Sequence, residues 1–220
     1  MLVIFDWDGT LIDSTGKIVA CMQQAAEDSG VPPRSVGAIR NIIGLGLDEA
    51  LLILYPEASR ELRTEIRQHY SARFVAADQT PCAFFPGVVE SLDWLRVRGV
   101  PLAVATGKSR RGLNRVLANL QMSDYFQSTR CADETASKPN PLMLNQLCEE
   151  FKVNVDDAVF VGDTEYDLEM AHRIGMPSVG VSYGVHTPAR LATWKPLTIL
   201  DEFSALLPIV AERYGMAMPR

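Results

Sequence analysis

Two aspartates that are separated by a single residue follow the first apolar run of this 220-residue chain. Asp6 and Asp8 come directly after residues 2–5, and Gly9 then allows the chain to turn tightly. In an extended chain, positions 6 and 8 point to the same side, so we expect the two carboxylates to converge just beyond the end of a strand. Two neighbouring acids repel each other unless a cation lies between them. The pattern therefore favours a cation site over a simple turn or helix cap.

A second acidic pair follows the apolar run at residues 158–161. Asp163 stands at the end of that run, and Asp167 lies four residues on, which is one turn of a helix. Two such acids suit a hard cation with oxygen ligands, Mg²⁺ before Ca²⁺, because there is no long loop rich in Asp and Asn. The alternative is that Asp163 only caps the helix that follows.

Two further short segments could hold an anion. Thr106, Gly107 and Lys108 follow the run at residues 101–105, and a hydroxyl, a glycine and the N–H groups that open a helix form a small anion cradle. The spacing GxxxxGK[ST] of a nucleotide-binding loop is absent. Lys138 is followed by prolines at 139 and 141, which fix the direction of its side chain. The alternative interpretation is that Lys138 is an ordinary surface lysine.

Three of these motifs, those that begin at Asp6, Thr106 and Asp163, stand at the ends of apolar runs that predict buried parallel strands. The four runs are residues 2–5, 101–105, 158–161 and 178–181. Segments with helical periodicity lie between them, at residues 88–98, 141–151 and 164–174. Strand–helix alternation of this kind predicts a doubly wound α/β core with a parallel sheet.

The alternation is interrupted early in the chain. Apolar residues with helical spacing occur around residues 18–26 and 62–74, and no comparable strand signal lies between them. We therefore predict an all-helical insertion at residues 15–80, placed in an α/β core formed by residues 1–14 and 81–220.

Composition excludes several classes of protein. Hydrophobic residues make up 47% of the chain, charged residues 22%, and the formal net charge is −6. Disorder is therefore excluded, and the lack of any basic block argues against nucleic acid or an anionic membrane as partner. The four cysteines form no CxxC pair, so neither a zinc site nor a redox dithiol is expected. The short apolar start is not typical of a signal peptide, and we expect a cytoplasmic protein.

In order and separation, the four motifs resemble those of the haloacid dehalogenase superfamily of aspartate-nucleophile phosphatases. The resemblance covers the whole chain, and residues 106–108 and 162–167 are most similar to the phosphoglycolate phosphatase branch. It implies a Rossmann-like core and identifies the insertion as a helical cap of the C1 type. Residues 44–46 then resemble a flexible loop that closes over the site. Trp7 is bulkier than the residue expected between the two acids, and we expect it to face away from them.

The resemblance also implies a role for each motif. Asp6 would attack phosphorus to form an aspartyl-phosphate, and Asp8 would first protonate the leaving alcohol and then take a proton from water. Mg²⁺ would be held by the Asp6 carboxylate, the main-chain carbonyl of Asp8 and Asp163. Asp167 would hold either a metal-bound water or Lys138.

The remaining motif residues would face the phosphate. Thr106 and the N–H groups beside Gly107 would bind phosphate oxygens, and Lys138 would offset negative charge on the nucleophile and the phosphate. Lys108 is either a further cation of the site or a surface residue. The sequence leaves both interpretations open.

The expected function is a Mg²⁺-dependent phosphatase that acts on a small phosphorylated metabolite, as a monomer or homodimer. A pyrophosphatase or a phosphosugar mutase would share the same scaffold, although such mutases usually carry an acidic residue in place of Gly162. A 2-haloacid dehalogenase needs no metal and no second acidic pair. A catalytically inactive binding protein would be expected to have lost a motif.

Overall fold

A computed structural model, which describes residues 1–78 and 81–216, has an all-parallel sheet at its centre. Its six strands run in the spatial order β3-β2-β1-β4-β5-β6. The predicted α/β class with a parallel sheet is confirmed. The strands are β1 (Leu2–Phe5), β2 (Leu102–Thr106), β3 (Ser128–Cys131), β4 (Ala158–Gly162), β5 (Ser178–Val181) and β6 (Thr198–Leu200).

The four buried strands are those that the apolar runs predict, and the two edge strands are not. β3 reads STRC and is only partly buried, and β6 has three residues. An edge strand contacts a neighbour on one side only, so it needs no continuous apolar run, and its sequence carries a weaker signal.

Helices cover both faces of the sheet and fill the segment between β1 and β2. Side chains alternate along β1, so Val3 and Phe5 enter one apolar cluster and Leu2 and Ile4 the opposite one. The described residues form the α-helices α1 (Thr15–Asp28), α2 (Val36–Arg40), α3 (Leu47–Leu54), α4 (Arg60–Ala77), α5 (Val88–Val97), α6 (Arg110–Asn119), α7 (Leu142–Phe151), α8 (Glu165–His172), α9 (Pro188–Ala192) and α10 (Leu206–Tyr214).

Helices α1 to α4 and the loops that join them, which we call the helical segment, have an apolar core of their own. Buried residues of all four helices form one cluster, separate from the two clusters that cover the sheet. The helical content of the predicted insertion agrees with this arrangement, and its proposed limits at 15 and 80 stay a prediction. Residues 79 and 80, at its predicted end, lie outside the described residues.

The topology places the motifs at one edge of the sheet. β1 lies between β2 and β4, so the chain leaves their carboxyl ends in opposite directions and opens a crevice there. Asp6 follows β1, Thr106 ends β2 and Asp163 follows β4. Among the helices of the described residues, none is both long and apolar enough to cross a bilayer.

Candidate active site

Three buried carboxylates meet beyond the ends of β1 and β4. One oxygen from each of Asp6, Asp163 and Asp167 lies within 4.8 Å of the others, and all three residues are almost wholly inaccessible to solvent. Asp6 and Asp163 are the first residues after their strands, and Asp167 lies in the first turn of α8. The two acidic motifs, more than 150 positions apart in sequence, thus form one group.

Lys138 is the counter-ion of this group. Its Nζ lies 2.5 Å from Asp6 Oδ1 and 2.7 Å from Asp167 Oδ1, and its side chain is fully buried. The surface-lysine alternative is therefore wrong, and of the two partners considered for Asp167 the described contact is Lys138. Burial alone would lower the pKa of this ammonium, but the charges of Asp167 and Asp6 raise it above its usual value.

Neutral donors fix three more of the carboxylate oxygens. Thr10 Oγ1 donates to Asp163 Oδ1 at 2.7 Å, and the Val185 N–H donates to Asp163 Oδ2 at 2.8 Å. Thr164 donates its N–H and its hydroxyl to Asp167 Oδ2, at 3.0 and 2.7 Å. Thr164 is also the N-cap of α8, so the alternative in which Asp163 serves as the cap is wrong.

One oxygen of the group is left over. Asp6 Oδ2 is buried and has no hydrogen-bond partner among the described residues. Three carboxylates share one ammonium, so the group carries an excess of negative charge away from water. Burial, and next Asp167, raise the pKa of Asp163 to about 7, while burial, opposed by Lys138, raises the pKa of Asp6 well above its usual range. A hard cation with oxygen ligands fits this donor set.

Asp8 has different partners. Its Oδ1 accepts from the Ser14 hydroxyl at 2.6 Å and lies 3.0 Å from Lys108 Nζ. The Asp8 carboxylate is not a member of the group formed by Asp6 and its neighbours. The side chain of Lys108 is only 12% exposed, which excludes the surface alternative for this residue. Asp8 is therefore a separate carboxylate paired with its own cation.

The turn after β2 lies beside these groups. Thr106 is buried, and its hydroxyl accepts from the Lys108 N–H at 3.2 Å. Helix α6 begins just beyond, with Ser109 as its N-cap. A Cβ on Gly107 would overlap the carbonyl oxygens of Gly44 and Leu45, so the helical segment contacts this turn directly.

The loop at residues 44–46 touches three of the four motifs. It covers Gly107, its first residue lies against the Thr164 side chain, and the Gly46 N–H donates to Ser137 Oγ at 2.8 Å. These contacts place the loop beside the motifs, and its closure over the site stays a prediction.

Sequence reasoning gave no role to three groups that hold the carboxylates. Ser14 is only six positions from Asp8 in sequence, which was a usable signal, whereas Thr10 reaches Asp163 across 153 positions. The Val185 N–H had no such signal, because it reaches Asp163 only through the fold. Trp7 packs edge-on against Phe84 and Phe126, which confirms that it serves packing.

A cavity of about 20 Å³ lies beside Asp8, between the helical segment and the core. Its volume is close to that of one water molecule. Its polar wall contains Asp8, Lys108 and Asp78, and its remaining lining is mostly apolar, with Trp7, Ile12, Phe74, Cys82, Val116 and Leu120 among its residues.

Known proteins resemble this chain over nearly its whole length. The family model described as haloacid dehalogenase-like hydrolase matches residues 3–181. The probable phosphatase IndB of Dickeya dadantii (strain 3937) is 36% identical over 210 residues, which cover 94% of this chain and 91% of that protein. The phosphoglycolate phosphatase of Vibrio vulnificus (strain CMCP6) is 30% identical over 217 residues, or 95% of each chain.

The fold agrees with the family match. The crystal structure of a predicted phosphoglycolate phosphatase from Haemophilus somnus 129pt superposes with a TM-score of 0.87 at 26% identity, over 94% of this chain and 96% of that one. Both sequence and architecture therefore relate this chain to hydrolases that include proteins named as phosphatases.

Proposed function

Because this chain belongs to the haloacid dehalogenase-like hydrolase family, we propose that it is a Mg²⁺-dependent phosphatase that cleaves a small phosphate monoester through an aspartyl-phosphate on Asp6. The observation that carries the proposal is the buried group of Asp6, Asp163 and Asp167, in which Asp6 Oδ2 has no partner among residues 1–78 and 81–216. The helical segment acts as the cap in this proposal, with residues 15–80 as cap and residues 1–14 and 81–220 as core.

The donor set supports magnesium as the cofactor. Asp6 and Asp163 carboxylates and the main-chain carbonyl of Asp8 would hold the ion, while Asp167 is engaged by Lys138 and Thr164. When bound, Mg²⁺ would offset negative charge on Asp6 and on the phosphate. A carboxylate that attacks a phosphate dianion needs such charge compensation.

Asp6 is the nucleophile of the first step. Lys138 fixes Asp6 Oδ1, and the carboxylate lies at the end of a buried strand, where it has little freedom to turn away. The new bond joins an Asp6 oxygen to phosphorus, and the bond from phosphorus to the ester oxygen breaks. The leaving oxygen takes a proton from Asp8, whose side chain lines the cavity beside the site.

Hydrolysis of the aspartyl-phosphate completes the cycle. Asp8 takes a proton from a water molecule, which attacks phosphorus, and the bond from phosphorus to Asp6 breaks to release inorganic phosphate. Thr106 and the N–H groups at Gly107 bind phosphate oxygens, and Lys138 stabilises the negative charge that returns to Asp6. Ser14 and Lys108 orient Asp8 for both proton transfers.

The test is hydrolysis of a panel of phosphates with and without Mg²⁺. The panel contains p-nitrophenyl phosphate, 2-phosphoglycolate, pyrophosphate and a hexose phosphate. We expect phosphate release from the monoesters, no release in EDTA, and recovery when Mg²⁺ is added. Asp6→Asn should reduce release to the assay background, since removal of a covalent nucleophile abolishes that route. Asp13→Asn is the matched control, because Asp13 is exposed.

Several outcomes would contradict the proposal. Activity of Asp6→Asn equal to that of Asp13→Asn would exclude Asp6 as the nucleophile, and full activity in EDTA would exclude the metal. Faster hydrolysis of pyrophosphate than of the monoesters would make pyrophosphate the preferred substrate in place of a monoester. Gly162 stands where such mutases usually carry an acidic residue, and a Cβ at this position would overlap the Asp167 side chain.

A further inference from the structure

The last turns of α4 bring two side chains of the helical segment against the core. Phe74 and Asp78 lie one helical turn apart, and both are buried. Asp78 Oδ2 accepts from Arg115 Nε of α6 at 2.6 Å, and its Oδ1 lies 3.2 Å from Lys17 Nζ. This ion-paired carboxylate fixes the end of α4 on the core and thereby fixes the place of the Phe74 ring.

The Phe74 ring faces the cation that pairs with Asp8. Lys108 Nζ lies 4.6 Å from the ring centroid and 3.0 Å from Asp8 Oδ1. The Lys108 side chain is only 12% exposed, and an ammonium over an aromatic face is stabilised most where it is poorly hydrated. The ammonium thus has an aromatic contact from the helical segment and a carboxylate contact from the core.

We propose that Phe74 is a positioning residue that holds Lys108 on Asp8 while the helical segment is docked on the core. This inference rests on the proposed function and deepens it, because it connects closure of the helical segment to proton transfer at Asp8. Lysine has a long flexible side chain, so without the ring its ammonium is free to leave Asp8 for solvent. An undocked helical segment would remove the ring and loosen the acid.

The choice of variant follows from what the ring supplies. Leucine replaces its apolar volume in part but has no π-face for an ammonium, whereas tryptophan keeps the π-face. Phe74 also lies 5.6 Å from Lys17 Nζ and packs on Tyr70. A second substitution at Lys108 is therefore needed to show that the effect passes through that residue.

Two substrates distinguish positioning from general damage. An aryl phosphate such as p-nitrophenyl phosphate has a leaving group that departs without protonation, whereas the alkyl leaving group of 2-phosphoglycolate needs a proton from Asp8. We expect Phe74→Leu to lower kcat for 2-phosphoglycolate by about three- to thirtyfold, with a smaller loss for the aryl phosphate. Phe74→Trp should restore most of the loss, and Phe74→Leu should add nothing to Lys108→Met.

The controls keep the result interpretable. Phe151→Leu, at the end of α7 on the other face of the sheet, is the matched control, and thermal unfolding reports folding of each variant. If Phe74→Leu does not fold, Phe74→Met replaces it. Equal losses for both substrates, no rescue by tryptophan, or a further loss in the Lys108→Met background would each overturn this inference alone. A wild-type chain inactive on every monoester of the panel would overturn the proposed function with it.

Discussion

At the scale of single residues, the main feature of the site is an excess of buried negative charge. Asp6, Asp163 and Asp167 are buried around one ammonium, Lys138. Each oxygen of Asp163 and Asp167 has a donor, but Asp6 Oδ2 has none among the described residues. A folded protein tolerates such a group only if a cation joins it or a proton neutralises it. The raised pKa of Asp163 means that this carboxyl group is more readily neutralised by a proton.

This shift predicts how the metal-free stability depends on pH. Burial raises the folded pKa of Asp163 to about 7, against an ordinary value of 3.8. Between these values the folded protein keeps a proton that the unfolded chain has released, so the free energy of unfolding should fall as pH rises. In EDTA, denaturant unfolding should therefore give a lower free energy at about pH 8 than at about pH 5.

Asp163→Asn isolates this contribution. Asparagine does not ionise, so the decline of the unfolding free energy with pH should be smaller in this variant than in the wild type. An equal decline in both proteins would show that Asp163 is already ionised at low pH in the folded state.

At the scale of elements, the site depends on the meeting of strand ends and one loop. β1, β2 and β4 deliver Asp6, Thr106 and Asp163 to a common edge, and the loop at residues 44–46 covers that edge. At Gly107 the turn after β2 approaches this loop closely, since a Cβ there would overlap two carbonyl oxygens of the loop. The loop and the turn after β2 therefore cannot move independently.

Gly107→Ala should push this loop off the site. Its Cβ would overlap main-chain atoms, which cannot rotate away as a flexible side chain could. We expect kcat/KM to fall by about ten- to a hundredfold, because a displacement of about 1 Å near the reacting atoms can cost on the order of 10²-fold. Steady-state kinetics on p-nitrophenyl phosphate measures the effect.

Gly37→Ala is the matched control for that variant. Gly37 lies in α2, and a Cβ there meets no atom of the described part of the chain within 4 Å. It should keep wild-type kinetics and gain up to about 1 kcal/mol in stability, since alanine favours the helix over glycine. Wild-type kinetics in Gly107→Ala would show that the loop yields without cost to the site.

At the scale of the whole molecule, the site exists only in the folded chain. Its carboxylates lie at positions 6, 163 and 167, and the helical segment adds contacts from Gly46 to Ser137 and from Asn41 to Arg190 and Tyr166. The unfolded chain cannot hold these carboxylates together. A cation that binds the group must therefore stabilise the fold as a whole.

Mg²⁺ should consequently raise the melting temperature. At a hundredfold excess over its dissociation constant, a ligand of the folded state adds about 2.7 kcal/mol to the free energy of unfolding. Differential scanning calorimetry with Mg²⁺ and with EDTA measures the difference. Asp163→Asn should lose most of the increase, and Asp13→Asn should keep it. The same increase in both variants would place the ion elsewhere.

The sequence by itself determined the central strands, the helical nature of residues 15–77 and the motif residues. Each of these depends on local pattern: an apolar run, a helical period, or polar residues directly after a strand. Asp6 and Asp163 could be named because parallel strands end at one edge of a sheet, and Lys138 because the prolines that follow it fix the direction of its side chain. The edge strands β3 and β6 could not be predicted from the sequence, since partial burial leaves no apolar run to detect.

The tertiary structure decided which of these residues contact one another as ion pairs or through a cation–π contact. It paired Lys138 with Asp6 and Asp167, gave Lys108 to Asp8, and brought Phe74 of the helical segment onto Lys108. Each pairing joins residues tens of positions or more apart in sequence, and sequence spacing sets no distance across such separations. Burial, which makes the pairings strong, is likewise a property of the packed molecule.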